Sequence, residues 1–279
     1  MPPIERALVS LRDRLPEAVL DALPRRYERL GHVLVLPRLD VRPDDERLVA
    51  QAYAEAVGAR TVLVRAGTVV GRERRPRLRH AWGDVQTETV VMQHGVRFRF
   101  DAARVMFSAG NLEERRRMGM LPTDGETVVD LFAGLGYLSL PIAVHRRPHL
   151  VYGCEVNSVT CSYLEENVEL NEVEERFVPL LGDCRDVAPR GVADRVIMGY
   201  LHGTHGYLDV AFRTLRAEGG VVHFHFKDGV ERWPEEVFRR VEVEAAKAGR
   251  DVRLGAWRRV KPYAPRVVHG VLDLEVGPE

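Results

Sequence analysis

Apolar residues recur mostly at three- and four-residue intervals between Pro3 and Leu23, at Ile4, Leu8, Leu11, Leu15, Val19, Leu20 and Leu23. That spacing predicts one or two amphipathic helices. His32-Val33-Leu34-Val35-Leu36 reads as a strand, Asp45 to Val57 as a helix stopped at Gly58, and Thr61-Val62-Leu63-Val64 as a second strand. These segments describe a compact α+β module. Two further β-like runs, Glu88 to Met92 and Val96 to Phe100, flank Gln93-His94-Gly95 as a turn. The expected domains are therefore 1–92, a small α+β domain, and 93–279. In the second, strand patterns at Val128-Val129-Asp130, Leu150 to Glu155, Val178 to Leu181, Arg195 to Met198 and Gly220 to His225 alternate with helical patterns. Such alternation predicts an α/β fold with a doubly wound, mostly parallel sheet covered by helices on both faces.

The most informative segment is Asp130-Leu131-Phe132-Ala133-Gly134-Leu135-Gly136-Tyr137. It reads as a buried strand that ends in an acid, turns through two glycines and opens a helix, a turn whose backbone admits a cofactor closely. A dinucleotide fold would place a third glycine three residues after the second, and here that residue is Ser139. The dinucleotide reading is weakened, and a nucleoside cofactor without a pyrophosphate, S-adenosylmethionine, fits better.

In a doubly wound sheet, ligands lie beyond the carboxyl ends of the strands. Asp130 ends the first strand of this half, Glu155 ends the second, and Asp183 follows the third. A carboxylate at the second position accepts both ribose hydroxyls; one at the third accepts an adenine amino group while the Cys184 N–H donates to the ring. The spacing of Glu155 from Gly136 suits a nicotinamide enzyme equally well, so Asp183 and Ser139 tip the balance.

Composition narrows the class. With 279 residues, 45% of them hydrophobic, the chain can bury a substantial core, and no apolar run approaches membrane-spanning length. Three cysteines without metal-site spacing predict reduced thiols in a cytoplasmic protein, and no metal. Forty-one basic residues balance 41 acidic ones, so nucleic-acid binding would have to come from local clusters. The strongest is Arg72-Glu73-Arg74-Arg75-Pro76-Arg77-Leu78-Arg79-His80; Arg115 to Arg117 and Arg258, Arg259 and Lys261 form two more. A solvated hairpin is an almost equally good reading of the first.

Val105-Met106-Phe107-Ser108, Asn111 to Met118, Asp130 to Gly134, Glu165 to Asn171 and Ala193 to Tyr200 together resemble the archaeal tRNA wybutosine-synthesis aminocarboxypropyltransferases, sisters of the tRNA guanine-N1 methyltransferases. The resemblance covers essentially the whole chain, including Lys261-Pro262-Tyr263-Ala264-Pro265. It implies a class I methyltransferase-like (Rossmann-like) sheet and an S-adenosylmethionine site of Ser108, Arg115, Glu155, Asp183 and Cys184, lined by Phe132, Gly134 and Gly136. An arginine there suits the cofactor's carboxylate. It also implies a tRNA partner at the anticodon loop, with Arg72, Arg74, Arg75 and Lys261 as candidate contacts, and no obligatory protein partner or membrane.

The fourth strand's end bears on which group moves. The sister methyltransferases carry Asn-Leu-Pro there, and base-modifying relatives more generally Asn-Pro-Pro-aromatic, whereas this chain has Met198-Gly199-Tyr200-Leu201-His202. That matches the branch transferring the 3-amino-3-carboxypropyl group to C7 of 4-demethylwyosine at position 37 of tRNA-Phe. His202 is the candidate proton acceptor, with His205, His223 and His225 near other strand ends; Tyr200 or Tyr137 is placed to stack on the base. The competing readings are methyl transfer to N1 of guanosine 37, a tRNA-binding protein without turnover, and a nicotinamide oxidoreductase.

Overall fold

The structure, a computed structural model, describes residues 1–69, 71, 74–107 and 110–279. Ser108 and Arg72, both candidate site residues, lie outside the described residues. The chain divides into two compact units, Met1–Met92 with Phe98–Ala109, and Gln93–Arg97 with Gly110–Glu279.

In the first unit, helices α1 (Pro3–Leu11) and α2 (Glu17–Ala22) accompany a four-stranded sheet of β1 (Glu28–Leu30), β2 (Val33–Leu36), β3 (Thr61–Arg65) and β4 (Leu78–Gly83), in that order. Between β2 and its parallel neighbour β3 runs α3 (Pro43–Val57). Proline at its start and Asp44, Asp45 and Glu46 in its first turn favour helix initiation, and Gly58 at φ +69° ends it. Leu11, Leu34, Leu36, Val49, Tyr53 and Val62 fill the core. The basic run after Pro76 is not a free hairpin: it becomes β4, paired to β3, and its Arg79 grips Glu46.

A two-stranded sheet of β5 (Glu88–Gln93) and β6 (Val96–Asp101) turns at His94 and Gly95, both at positive φ (+49° and +80°), as a tight hairpin requires. Its tip, Gln93–Arg97, groups with the second unit. Phe98–Ala109 returns to the first, unlike the single cut expected after residue 92. Within that returning segment Phe107 stacks on Phe100 at 4.7 Å and meets Phe98 edge-on at 5.9 Å.

The second unit begins with α4 (Leu112–Met118) and continues β7 (Thr127–Asp130), α5 (Ser139–His145), β8 (Leu150–Glu155), α6 (Ser158–Leu170), β9 (Phe177–Leu181), α7 (Cys184–Val187), β10 (Arg195–Met198), α8 (Leu208–Thr214), β11 (Gly220–Gly229), α9 (Glu235–Lys247), β12 (Val252–Ala264) and β13 (Val267–Val276). The sheet order is β12-β13-β11-β10-β7-β8-β9. Strands β9, β8, β7, β10 and β11 run parallel; β13 is antiparallel to both β11 and β12. The chain winds outward from β7 to β9, then crosses back to β10 on the other side of β7. The switch point thus falls between β7 and β10, where a doubly wound sheet opens its ligand crevice.

Side chains alternate across β11. Val222, Phe224 and Phe226 join the apolar core with Val210 and Phe212 of α8 and Val237 and Val241 of α9. The intervening His223 and His225 are equally buried and belong to a polar layer on the other face.

Candidate cofactor site and acceptor shelf

The turn after β7 is held by its own carboxylates. Asp130, only 1% exposed, accepts the Phe132 N–H at 3.1 Å and the Ser139 hydroxyl at 2.8 Å. Ser139 therefore stands where a dinucleotide fold wants glycine because its hydroxyl ties the opening of α5 to the end of β7. Burial pushes the Asp130 carboxyl up to about 7 against these two stabilising hydrogen bonds, and the nearby Glu155 charge adds to the rise. Gly134 and Gly136 take φ values of +57° and +85°. A Cβ at Gly136 would come within 2.4 Å of Leu140, so this glycine serves helix packing as well as the turn.

Glu155 closes the turn from the next strand. One of its oxygens accepts the Gly134 N–H at 2.9 Å, the other the Asn157 N–H at 2.7 Å. A carboxylate oxygen has two lone-pair directions, so these backbone bonds do not by themselves bar a ribose diol from the same carboxylate. Asn157 also caps α6, taking the Val159 N–H at 3.0 Å. The sequence reading passed over Asn157, although an asparagine immediately before a helical pattern is a cap signal. Glu155→Ala removes the shared acceptor of two backbone donors together with the ribose contact. We expect cofactor binding to weaken by about 1–3 kcal/mol, read by calorimetry; an unchanged dissociation constant contradicts this assignment.

Asp183 behaves differently. It caps α7 through the Arg185 N–H at 3.0 Å, and the Arg185 side chain folds back onto both of its oxygens at 3.1 and 2.6 Å. An adenine amino group at Asp183 would share or displace that arginine. Cys184 is buried behind it.

Arg115 lies on the inner face of α4, 1% exposed, with its guanidinium 4.8 Å above the Tyr137 ring and a hydrogen bond to Gln93. Burial draws it down to about 10, which leaves it cationic at neutral pH. The structure thus brings Arg115 to the turn, and Tyr137 under Arg115 rather than among the aromatics at the end of β10.

Those aromatics form a shelf. Phe132 stacks on Tyr200 at 5.2 Å and meets Tyr207 edge-on at 5.0 Å. His202 follows Tyr200, with ring centres 5.8 Å apart, and its Nε2 lies 3.3 Å from the Tyr263 hydroxyl of β12. The Lys227 ammonium sits 4.7 Å over the Tyr263 ring. Tyr207 and Tyr263 were not legible as site residues, because only the folded sheet carries β12 to the loop after β10.

His223 and His225 are not at the shelf. Arg195 donates to His223 Nε2 at 2.9 Å, which makes that nitrogen the acceptor and puts the ring proton on Nδ1, 2.6 Å from Asp273. Burial lowers the His223 pKa, so the ring is a neutral donor and the balancing charge at Asp273 comes from arginines. Arg258 reaches Asp273 at 2.6 Å and Arg117 at 3.2 Å. Arg117 also holds Glu114 at 2.6 Å, and His225 bonds His269 at 3.1 Å. This layer fastens α4, and with it Arg115, to β11 and β13. It also draws members of the two smaller basic clusters inward, although Arg116 and Arg259 stay exposed. Arg115 and Arg117 are engaged internally, Arg258 is paired, and Arg259 lies 5.1 Å over Trp233. Of the remaining RNA-contact candidates, Arg74 and Arg75 belong to the first unit, and Lys261 lies beside Gly110 in the second. Among the described residues, no group of three or more His, Cys, Asp or Glu is arranged to hold a metal, and no helix is long and apolar enough to cross a membrane.

Strand order, switch-point turn and ribose-ready carboxylate define a class I α/β transferase of the S-adenosylmethionine-dependent kind. The chain belongs to the TRM5/TYW2 methyltransferase family: the model of the TRM5/TYW2 methyltransferase domain matches residues 89–254, and that of the TYW2 N-terminal domain residues 9–87. The chain is 38% identical, over 95% of its length and 94% of the relative's, to a tRNA(Phe) (4-demethylwyosine(37)-C(7)) aminocarboxypropyltransferase of Pyrococcus horikoshii. Among solved structures, P. horikoshii TYW2 in complex with MeSAdo superposes with a TM-score of 0.86 at 35% identity, covering 99% of this chain and all of that one. M. jannaschii TYW2 in complex with AdoMet gives 0.75 at 33% identity, over 91% of this chain and all of that one.

Proposed function

We propose that this protein transfers the 3-amino-3-carboxypropyl group of S-adenosylmethionine to C7 of the 4-demethylwyosine at position 37 of tRNA-Phe, in the cytoplasm. The observation that carries the reading is the end of β10. Met198-Gly199-Tyr200-Leu201-His202 holds neither the asparagine nor the proline with which base methyltransferases grip an amino group. The Tyr200 ring, backed by Phe132 and Tyr207, offers a flat apolar shelf to a tricyclic base. The near full-length likeness to relatives named for this transfer supports it.

When bound, S-adenosylmethionine supplies a sulfonium whose γ-carbon is open to attack, with methylthioadenosine as the leaving group. Glu155 holds the ribose, the Phe132 to Gly136 turn lines the nucleoside, and Arg115 pairs with the methionyl carboxylate. The shelf holds the acceptor ring so that its nucleophilic carbon faces the donor; with so good a leaving group, positioning contributes most of the rate. As the new C–C bond forms and the C–S bond breaks, the acceptor carbon sheds a proton, which His202 takes up, oriented by the Tyr263 hydroxyl. Ser108, Asp183 and Cys184 complete the proposed donor site; Arg74, Arg75 and Lys261, with Arg72, are proposed to meet the RNA backbone.

The test is incubation of tRNA carrying 4-demethylwyosine with cofactor labelled separately in the methyl and carboxyl positions. Carboxyl label is expected in the RNA and methyl label in free methylthioadenosine. Methyl label in the RNA overturns the reading in favour of methyl transfer. No label from either position, with tRNA still bound, makes the chain a binding protein.

A further inference from the structure

The sheet has a second charged opening, at the end away from the donor site. The segments that enter β7, β8 and β9 enclose a cavity of about 680 Å³ whose lining includes Arg146, Arg147, Arg176 and His145. Its one acid is Asp124, and an oxygen of that carboxylate is occupied by the Arg147 backbone N–H at 2.8 Å. None of the three guanidinium groups forms an ion pair among the described residues, whereas Arg65, Arg79, Arg117, Arg195 and Arg258 all do. Arg146 donates to the Met120 carbonyl at 2.6 Å, and its Nε is buried without a hydrogen-bond partner. A buried donor of this kind is costly to leave unmet.

We infer that this cleft binds phosphate groups. Guanidinium forks match phosphate oxygens bidentately, and three of them against the single Asp124 leave a net charge of about +2 to be neutralised. No Phe, Tyr or Trp lines the cavity, whose polar groups are mostly guanidinium, so the lining favours phosphate over base edges. Arg147 and His145 are exposed at its rim, an open form suited to the backbone of a long polyanion. The source we favour is the sugar-phosphate backbone of the tRNA, and this arm rests on the function proposed above. Free pyrophosphate shares the chemistry and is separated by experiment.

The full chain with Arg146, Arg147 and Arg176 all changed to Gln is compared with the unaltered protein, and with a control in which the exposed Arg12, Arg14 and Arg239 are changed to Gln. Binding of tRNA is measured across a salt series, and binding of inorganic pyrophosphate by calorimetry. Loss of the cleft is expected to reduce the slope of log affinity against log salt by about 2 and to weaken tRNA binding about 10- to 100-fold at moderate salt. The control should keep the original slope. Pyrophosphate binding that vanishes in the cleft variant with no change in tRNA slope identifies the free anion as the ligand. An unchanged slope with no pyrophosphate binding to the unaltered protein overturns the proposal. So does an equal loss of slope in the control. Arg147→Gln alone, at an exposed position, provides the same comparison with a smaller change if the triple variant does not fold. Binding of S-adenosylmethionine should stay the same throughout. A failed carboxyl-label transfer with an intact salt effect rejects the reaction and not the cleft.

Discussion

Changing Asp273 to alanine is expected to lower the unfolding free energy by about 2–4 kcal/mol in chemical denaturation, the largest loss we foresee from one side chain outside the apolar core. One carboxylate on β13 accepts from His223, Arg258 and Arg117. His223 is almost wholly buried, whereas the two arginines keep about a quarter of their side chains exposed, which holds the figure below that of a fully buried ion pair. Burial raises the Asp273 carboxyl, but the His223 bond and the two arginines overcome it and hold it well below the usual carboxylate range. Stability from this group is therefore fully present above the ordinary carboxylate range and is lost progressively as acid carries the pH from that range down through the depressed value. Because Arg117 lies on α4, two residues from Arg115, the same change should loosen Arg115 and raise the KM for cofactor more than it lowers kcat. Full stability in the alanine variant would show that the arginines find other partners.

Asp130→Asn is expected to act in the opposite direction. Asparagine can still accept the Phe132 N–H, and it can donate to Ser139 where the carboxylate accepted. The carboxyl stands at about 7 in the fold, against 3.8 for an ordinary aspartate. Since folding raises this pKa, the folded state holds an extra proton, and stability declines as pH rises from about 4 to 7. The asparagine variant escapes that decline. The stability difference should grow across that window in favour of Asn, level off above pH 7, and reach roughly 2–4 kcal/mol. Denaturation curves at pH 5 and pH 8 that differ equally in the two proteins would contradict it.

The donor side of the site was legible because its parts are local in sequence. Gly134 and Gly136 announce a turn at positive φ, and Asp130 and Glu155 end strands that are continuous apolar runs. Ser139 was read only as a missing glycine, although its hydroxyl supplies a bond no glycine could make. The helix α3 was visible from its period and from Gly58. Less visible were β12 and β13, whose arginines, lysines and histidines obscure the apolar alternation. The polar layer was hidden for a related reason. Glu114 and Arg117 of α4, Arg195 of β10, His223 of β11 and Asp273 of β13 come from four separate segments, and their burial is tolerable only once all of them meet. Read singly, His223 and His225 looked like strand-end bases and Arg115 to Arg117 like an RNA-binding cluster. Pairing reverses both impressions.

The strand order also constrains the timing of assembly. Although β13 follows β12 in the chain, it lies between β12 and β11. During synthesis β12 emerges before the neighbour it must pair with, and β11 waits with one edge open until residues up to Val276 have left the ribosome. Val268, Leu272 and Leu274 of that late strand complete the core beneath α8 and α9. Asp273 arrives with them, so the anchor for α4 is made after every other strand of the sheet. A ribosome paused before it would hold a chain whose cofactor-turn residues are already synthesised while α4 still lacks the carboxylate that fastens it.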